Sequence, residues 1–158
     1  MDPIDRKILS LVQSEARLTI TAIAEKVNVS VSAAHRRLRE LERSGVILGY
    51  RARLSATAVG LGFQGIVFVT MREGAAVTLA EFEAALEQVP EVIDAQRLFG
   101  DPDYLVRVVT RDLESFQQLY DATLSALPGV LRLSTTLIMK EVVSDRPLPI
   151  APTVRSQQ

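Results

Sequence analysis

Between His35 and Arg43 the stretch HRRLRELER places four arginines and the chain's only histidine within nine positions. A guanidinium is a permanently charged, planar fork of donors that grips phosphate oxygens or a guanine edge through two parallel hydrogen bonds. A second grouping is GDPDYLV, residues 100–106, where Asp101 and Asp103 set two carboxylates beside the Tyr104 hydroxyl on a turn shaped by Gly100 and Pro102. Carboxylates so placed can accept an ammonium group. If a neighbouring subunit closed over the turn, backbone N–H groups and hydroxyls such as those of Thr135 or Thr136 could receive the carboxylate of a bound amino acid. The plainer alternative is a tight turn whose solvated aspartates bond to their own backbone. With no Cys, one His and no cluster of metal ligands, the sequence carries no catalytic constellation and no metal site, and implies no cofactor. The chain reads as a non-enzyme.

The arginines need a helix to align them. Asp2-Pro3-Ile4-Asp5 starts a first helix, with Asp2 as cap and Pro3 in the first turn; Ile4, Ile8, Leu11 and Val12 give it one apolar stripe to about Ser14–Ala16. Thr19 or Thr21 caps a short second helix over Ala22–Val27, and Asn28 tolerates the left-handed backbone that ends it. Ser30 caps a third helix, Val31–Ser44, closed by Gly45. A tight turn between the last two makes a helix-turn-helix. On the wheel of the third helix Val31, Ala34, Leu38 and Leu41 share one side, whereas Ser32, Arg36, Arg39 and Arg43 share the other and Arg37 flanks them. The second helix of such a motif lies in the DNA major groove, its early residues at base edges and its later basic residues against phosphates. Ser32, His35 and Arg36 are therefore the base-reading candidates. The small Ser32 and Ala33 permit close approach to the groove floor, the cap Ser30 stands with them among the DNA-binding candidates, and Arg51 and Arg53 follow in VILGYRARL, a short apolar strand with a basic exit. The competing interpretation is a solvated amphipathic helix with Arg36–Glu40 and Arg39–Glu42 pairs.

The charge distribution agrees with two parts of different purpose. Residues 1–54 carry 10 Lys and Arg against 6 Asp and Glu, whereas residues 55–158 carry 8 against 13. Partners of opposite character are expected for the halves. The start MDPIDRK lacks the basic stretch and apolar core of a signal peptide, and no apolar run reaches the roughly 18 residues of a membrane span. A soluble, cytoplasmic protein without a membrane partner is expected.

Beyond residue 62 the period changes. Strands are read at Gly62–Met71, Glu91–Phe99, Tyr104–Thr110 and Val130–Val143, and helices from a Thr78-Leu79-Ala80-Glu81 capping box to Pro90 and from Leu113, capped by Asp112, to Leu127. Leu79, Phe82, Pro90 and Val92 are echoed by Leu113, Phe116, Pro128 and Val130, an internal repeat. Two strand-helix-strand units joined by a hairpin make a β-α-β-β-α-β ferredoxin-like domain, an antiparallel sheet with both helices on one face. Ile66, Phe68, Val106, Val108, Leu133 and Leu137 supply apolar surface for both sheet faces, so the bare face is expected to pack on a second copy as a two-fold dimer. The fold class is α+β, divided into 1–50, a linker 51–62, 63–146 and a proline-rich tail 147–158. The tail reads as irregular, a segment that could fold along a neighbouring subunit.

In this order, DRKIL in the first helix, LTITAIAEKVNVSVSAAHRRLRELERSGVILGY through the helix-turn-helix and GDPDYLV resemble the Lrp/AsnC family of transcription factors, over about residues 2–146. The resemblance implies a winged helix-turn-helix, a ferredoxin-like regulatory domain, double-stranded DNA as partner, dimers assembling to octamers, and an amino acid effector between regulatory domains. The family's effector residues carry over to Gly100, Asp101, Asp103 and Tyr104, while Pro102 replaces the usual tyrosine. The alternative is an architectural DNA-binding protein of the same fold that ignores small molecules.

Overall fold

The computed structural model describes residues 1–72 and 75–150. The chain forms two compact units, one of Met1–Ala52 with the chain from Val143 onward, the other of Arg53–Val142.

The first unit is built on three helices, α1 (Pro3–Ser14), α2 (Ile20–Val27) and α3 (Val31–Arg43). Each begins on the side chain the sequence offers. The Asp5 N–H donates to Asp2 at 2.8 Å, the Ala22 N–H to Thr19 at 3.2 Å and the Ala33 N–H to Ser30 at 3.2 Å, so at each start one of the otherwise unpaired N–H groups is satisfied. Asn28 ends α2 at φ 57°, and Gly45 turns the chain away from α3 at φ 71°. Ile8, Leu9, Val12, Ile23, Ala24, Val27, Ala34 and Leu41 form the core. Ala34, fully buried, is the small side chain of α3 that faces it. Val31, placed by the wheel on the buried side, is exposed. Residues 46–54 form no strand, contrary to the expectation for VILGYRARL. Within one chain this segment has no neighbouring strand to exchange ladder hydrogen bonds with, and only Ile47 packs on the helical core.

The second unit orders its antiparallel strands β2-β3-β1-β4, with β1 Phe63–Met71, β2 Val92–Arg97, β3 Tyr104–Thr110 and β4 Val130–Leu137. Helix α4 (Ala76–Leu86) follows β1, and α5 (Leu113–Ala122), with a short 3-10 turn at Leu124–Ala126, follows β3. Val67, Val69, Met71, Tyr104, Val106 and Val108 pack with Phe82 and Leu86 of α4 and Phe116 and Leu119 of α5, so both helices lie on one sheet face. The repeat is visible here, Phe82 and Phe116 holding equivalent core positions. By register Leu133, opposite Val69, and Leu137, opposite Gly65, also belong to the helix side. Of the six residues expected to serve both faces, only Ile66 and Phe68 lie on the open face, where Leu105 and Arg107 oppose them.

Several boundaries differ from the sequence reading. Helix α4 starts at Ala76 with no side-chain cap, so the Thr78 capping box does not form; alanines, the strongest helix formers, carry the helix back past Thr78. Strand β4 stops at Leu137, opposite Gly65 of β1, and one further hydrogen bond, from the Ile138 N–H to the Gln64 carbonyl at 3.1 Å, closes the pairing. Helix α5 gives way at Thr123 to the 3-10 turn, where Ser125 donates to the Asp121 carbonyl at 2.9 Å. Residues 143–150 pack with the helical unit; tail residues 151–158 lie outside the described residues.

Candidate nucleic-acid interface and effector site

Helix α3 presents Ser32, His35, Arg36, Arg39 and Arg43 to solvent, with Ala33 half-buried beside them. Ser30 works as the cap and its hydroxyl also lies 3.1 Å from that of Ser32. The arginines are not equivalent. Arg43 pairs with Glu40 at 2.6 Å and Arg39 approaches Glu42 at 4.0 Å. The Arg43 hydrogen bonds hold the Glu40 carboxyl below its ordinary value. Glu40 is thus taken by Arg43, not by Arg36 as the amphipathic-helix alternative has it. Among the described residues no ion pair or hydrogen bond holds the Arg36 side chain.

Arg37 behaves differently from its neighbours. Its guanidinium turns to the start of α1, 2.5 Å from Asp2 and 2.8 Å from Asp5, with its side chain only 24% exposed. Both hydrogen bonds, Asp5 first, raise the Arg37 pKa; the Asp5 N–H, then Arg37, lower that of Asp2. The two carboxylates that cap α1 therefore also clamp α3, and Arg37 is spent on the fold, not available to the arginine stripe beside it. Downstream, the Tyr50 hydroxyl donates to Glu42 of α3 at 3.1 Å. Burial, then Glu42, raises its pKa. Arg51 and Arg53 are both exposed on the irregular segment beyond.

In the second unit the six effector candidates do not gather at one point. Gly100 and Asp101 sit on the β2–β3 turn, where Asp101 accepts from the Thr70 hydroxyl at 3.3 Å and lies 3.7 Å from Arg132. Asp103 is bound into the sheet end: its carboxylate accepts the Met71 N–H at 2.7 Å and its own N–H donates to the Val69 carbonyl at 2.9 Å. Tyr104 is 2% exposed and points to the helix side, its hydroxyl donating 2.8 Å to Glu83 of α4, which also takes the Arg97 guanidinium. Burial, then Glu83, raises the Tyr104 pKa; Tyr104, then Arg97, lowers that of Glu83. Thr136 lies on the open face opposite Ile66, whereas Thr135 opposes Val67 on the helix side, its buried hydroxyl without a partner. Thr70 and Arg132, cross-strand neighbours in register, are the polar groups at the turn that sequence reasoning missed. Two cavities open on this unit, one of about 560 Å³ lined by Val89, Thr110, Arg111 and Ser115, the other of about 360 Å³ lined by Glu83, Asp94, Arg97 and Tyr104; neither is lined by Gly100, Asp101 or Asp103.

A family model for a winged helix-turn-helix DNA-binding domain matches residues 1–47, and one for the Lrp/AsnC ligand binding domain matches residues 64–148. The chain belongs to the Lrp/AsnC family. It is similar to the DNA-binding transcriptional activator DecR of Escherichia coli, 30% identical over 150 residues that cover 95% of this chain and 99% of that protein. It is 35% identical over 142 residues to the leucine-responsive regulatory protein of Rhizobium meliloti, covering 90% of this chain and 91% of that one. The crystal structure of a transcriptional regulator from Neisseria meningitidis in complex with L-Met superposes with a TM-score of 0.89 at 33% identity, over 95% of this chain and 97% of that one. These Lrp/AsnC relatives are transcriptional regulators, not enzymes. No described helix is long and apolar enough to cross a membrane.

Proposed function

We propose that this Lrp/AsnC regulator reads double-stranded DNA through the exposed face of α3 as a homodimer or a larger assembly such as an octamer, and that a small amino acid bound at the regulatory unit tunes that binding. The observation that carries the DNA reading is the division of labour along α3. Ser32, His35 and Arg36 occupy its N-terminal half, which in this motif faces base edges, and among the described residues no ion pair holds Arg36. Arg39, Arg43, Arg51 and Arg53 serve phosphates, Ser32 and Ala33 allow close approach next to the cap Ser30, and Arg37 positions the helix. The open sheet face, with Ile66, Phe68 and Leu105, is the surface for the second copy. The effector reading rests on the exposed Asp101 and Arg132, complementary charges for the ammonium and carboxylate of an amino acid, with the half-buried Thr70 hydroxyl beside them near Gly100. Its test is operator affinity and light-scattering mass with each common amino acid. One amino acid that shifts either identifies the effector.

A second reading, an effector-independent architectural DNA-binding protein, is favoured by one observation: Asp103 and Tyr104 are already engaged inside the chain. It predicts that affinity and mass stay fixed across the whole panel of amino acids.

A further inference from the structure

The chain leaves the helical unit after Ala52 and rejoins it at Val143. Where it returns, the carboxamide of Gln13 on α1 meets one residue of the returning segment twice. Its Nε2 donates to the Leu148 carbonyl at 2.8 Å, and its Oε1 accepts the Leu148 N–H at 3.0 Å. A side chain thereby reproduces one rung of a strand ladder. The neighbours make this rung specific: Pro147 and Pro149 have no N–H, so Leu148 supplies the sole backbone donor of the three residues, and Gln13 takes it. The Leu148 carbonyl accepts again, from the Ile150 N–H at 2.8 Å. Leu148 contributes backbone only, its side chain being 70% exposed, whereas Ile150 packs against the helical core. Prolines on both sides fix φ at two of the four positions before the segment docks, which lowers the entropy lost on docking.

We infer that the Gln13 surface of α1 is a peptide-docking site whose occupant is the chain's own Pro147-Leu148-Pro149-Ile150. A paired carboxamide reads the backbone of a residue flanked by prolines, and an apolar site takes the side chain two residues on. The regulatory unit is then attached to the DNA-binding unit at both of its ends, and a change in it reaches the helices along two routes, the covalent linker after Ala52 and the docked returning segment.

The test is amide exchange by NMR on the full chain. The Leu148 amide exchanges slowly in the wild type, and Gln13→Ala accelerates it about tenfold or more, because both hydrogen bonds are lost together. Ile150→Ala does the same without touching the rung, while exchange at the core residues Ile8 and Ile23 stays unchanged, which separates undocking from unfolding. A Leu148 amide that exchanges at the unprotected rate in the wild type, or is indifferent to both substitutions, overturns the proposal. A sample mixed from isotope-labelled and unlabelled chains identifies the occupant's source: Gln13–Leu148 contacts within one chain support the assignment, and contacts only between chains overturn it.

Discussion

Three arginines of α3, replaced singly by alanine, separate three roles. Arg36→Ala removes a guanidinium that no ion pair holds, from the part of α3 that reads base edges. A lost bidentate base contact costs about 1–3 kcal/mol, or about 5- to 150-fold, on the preferred sequence, with little change on unrelated DNA. Arg43→Ala removes a phosphate group, lowering the slope of log affinity against log salt by about 0.9 per bound copy, hence about 1.8 for two copies; over a fourfold rise in salt that is about a twelvefold difference in how much affinity is lost. Its exposed pair with Glu40 is screened by solvent and does little to oppose the transfer to phosphate. Arg37→Ala leaves the salt slope unaltered and lowers the melting temperature, since its partners are Asp2 and Asp5. The assay is fluorescence anisotropy on matched specific and unrelated duplexes at several salt concentrations, beside thermal melts of each variant. If Arg37→Ala lowers the slope as Arg43→Ala does and leaves melting unchanged, Arg37 is a DNA contact and the division of α3 is refuted.

Three further outcomes follow from the geometry. Gly129→Ala destabilises by about 2–3 kcal/mol in urea melts, because φ there is 72° and a Cβ would stand 2.4 Å from the Thr78 methyl and 3.0 Å from Met71 Cε. Asn28→Ala costs about 1 kcal/mol by the same melts, whereas Asn28→Gly changes stability by no more than a few tenths, the left-handed backbone at φ 57° being the requirement. Asp2 and Glu83 both have folded pKa values below their ordinary 3.8 and 4.5, so their contribution is complete above those values and is lost as pH falls through the folded ones. Urea midpoints should therefore hold level for these groups from about pH 7 to about pH 5 and fall below, and Asp2→Asn with Glu83→Gln should flatten the acid limb; an unchanged limb contradicts the assignment.

What the sequence made legible was local. The caps at Asp2, Thr19 and Ser30 and the left-handed Asn28 depend on residues within one turn, and each forms as its side chain dictates. Strand β3 was legible end to end because its apolar run is bounded by turn signals. The exposed face of α3 follows from helical period alone. Apart from the Thr78 capping box, a local misreading, the failures are tertiary. Arg37 finds Asp2 and Asp5 more than thirty residues away, a pairing that no wheel displays. Strand β4 ends at Leu137, although its own residues would continue and β1 extends beyond Gly65 to Phe63. The orientation of Tyr104 was within reach: Val106 and Val108 are core residues of the same strand, so the two-residue period places Tyr104 on their face and away from Asp101. Thr70 and Arg132 join the turn only through the β1–β4 register, which single-strand patterns do not specify.

The central claim, that α3 reads sequence, is tested most directly by selecting bound fragments from a pool of random duplexes with the wild type and with Arg36→Ala, and sequencing both. The account predicts that the wild type enriches a partly palindromic motif and that Arg36→Ala relaxes the preference at one position in each half of it. Enrichment of no motif by the wild type, or the same motif undiminished in the variant, would contradict it.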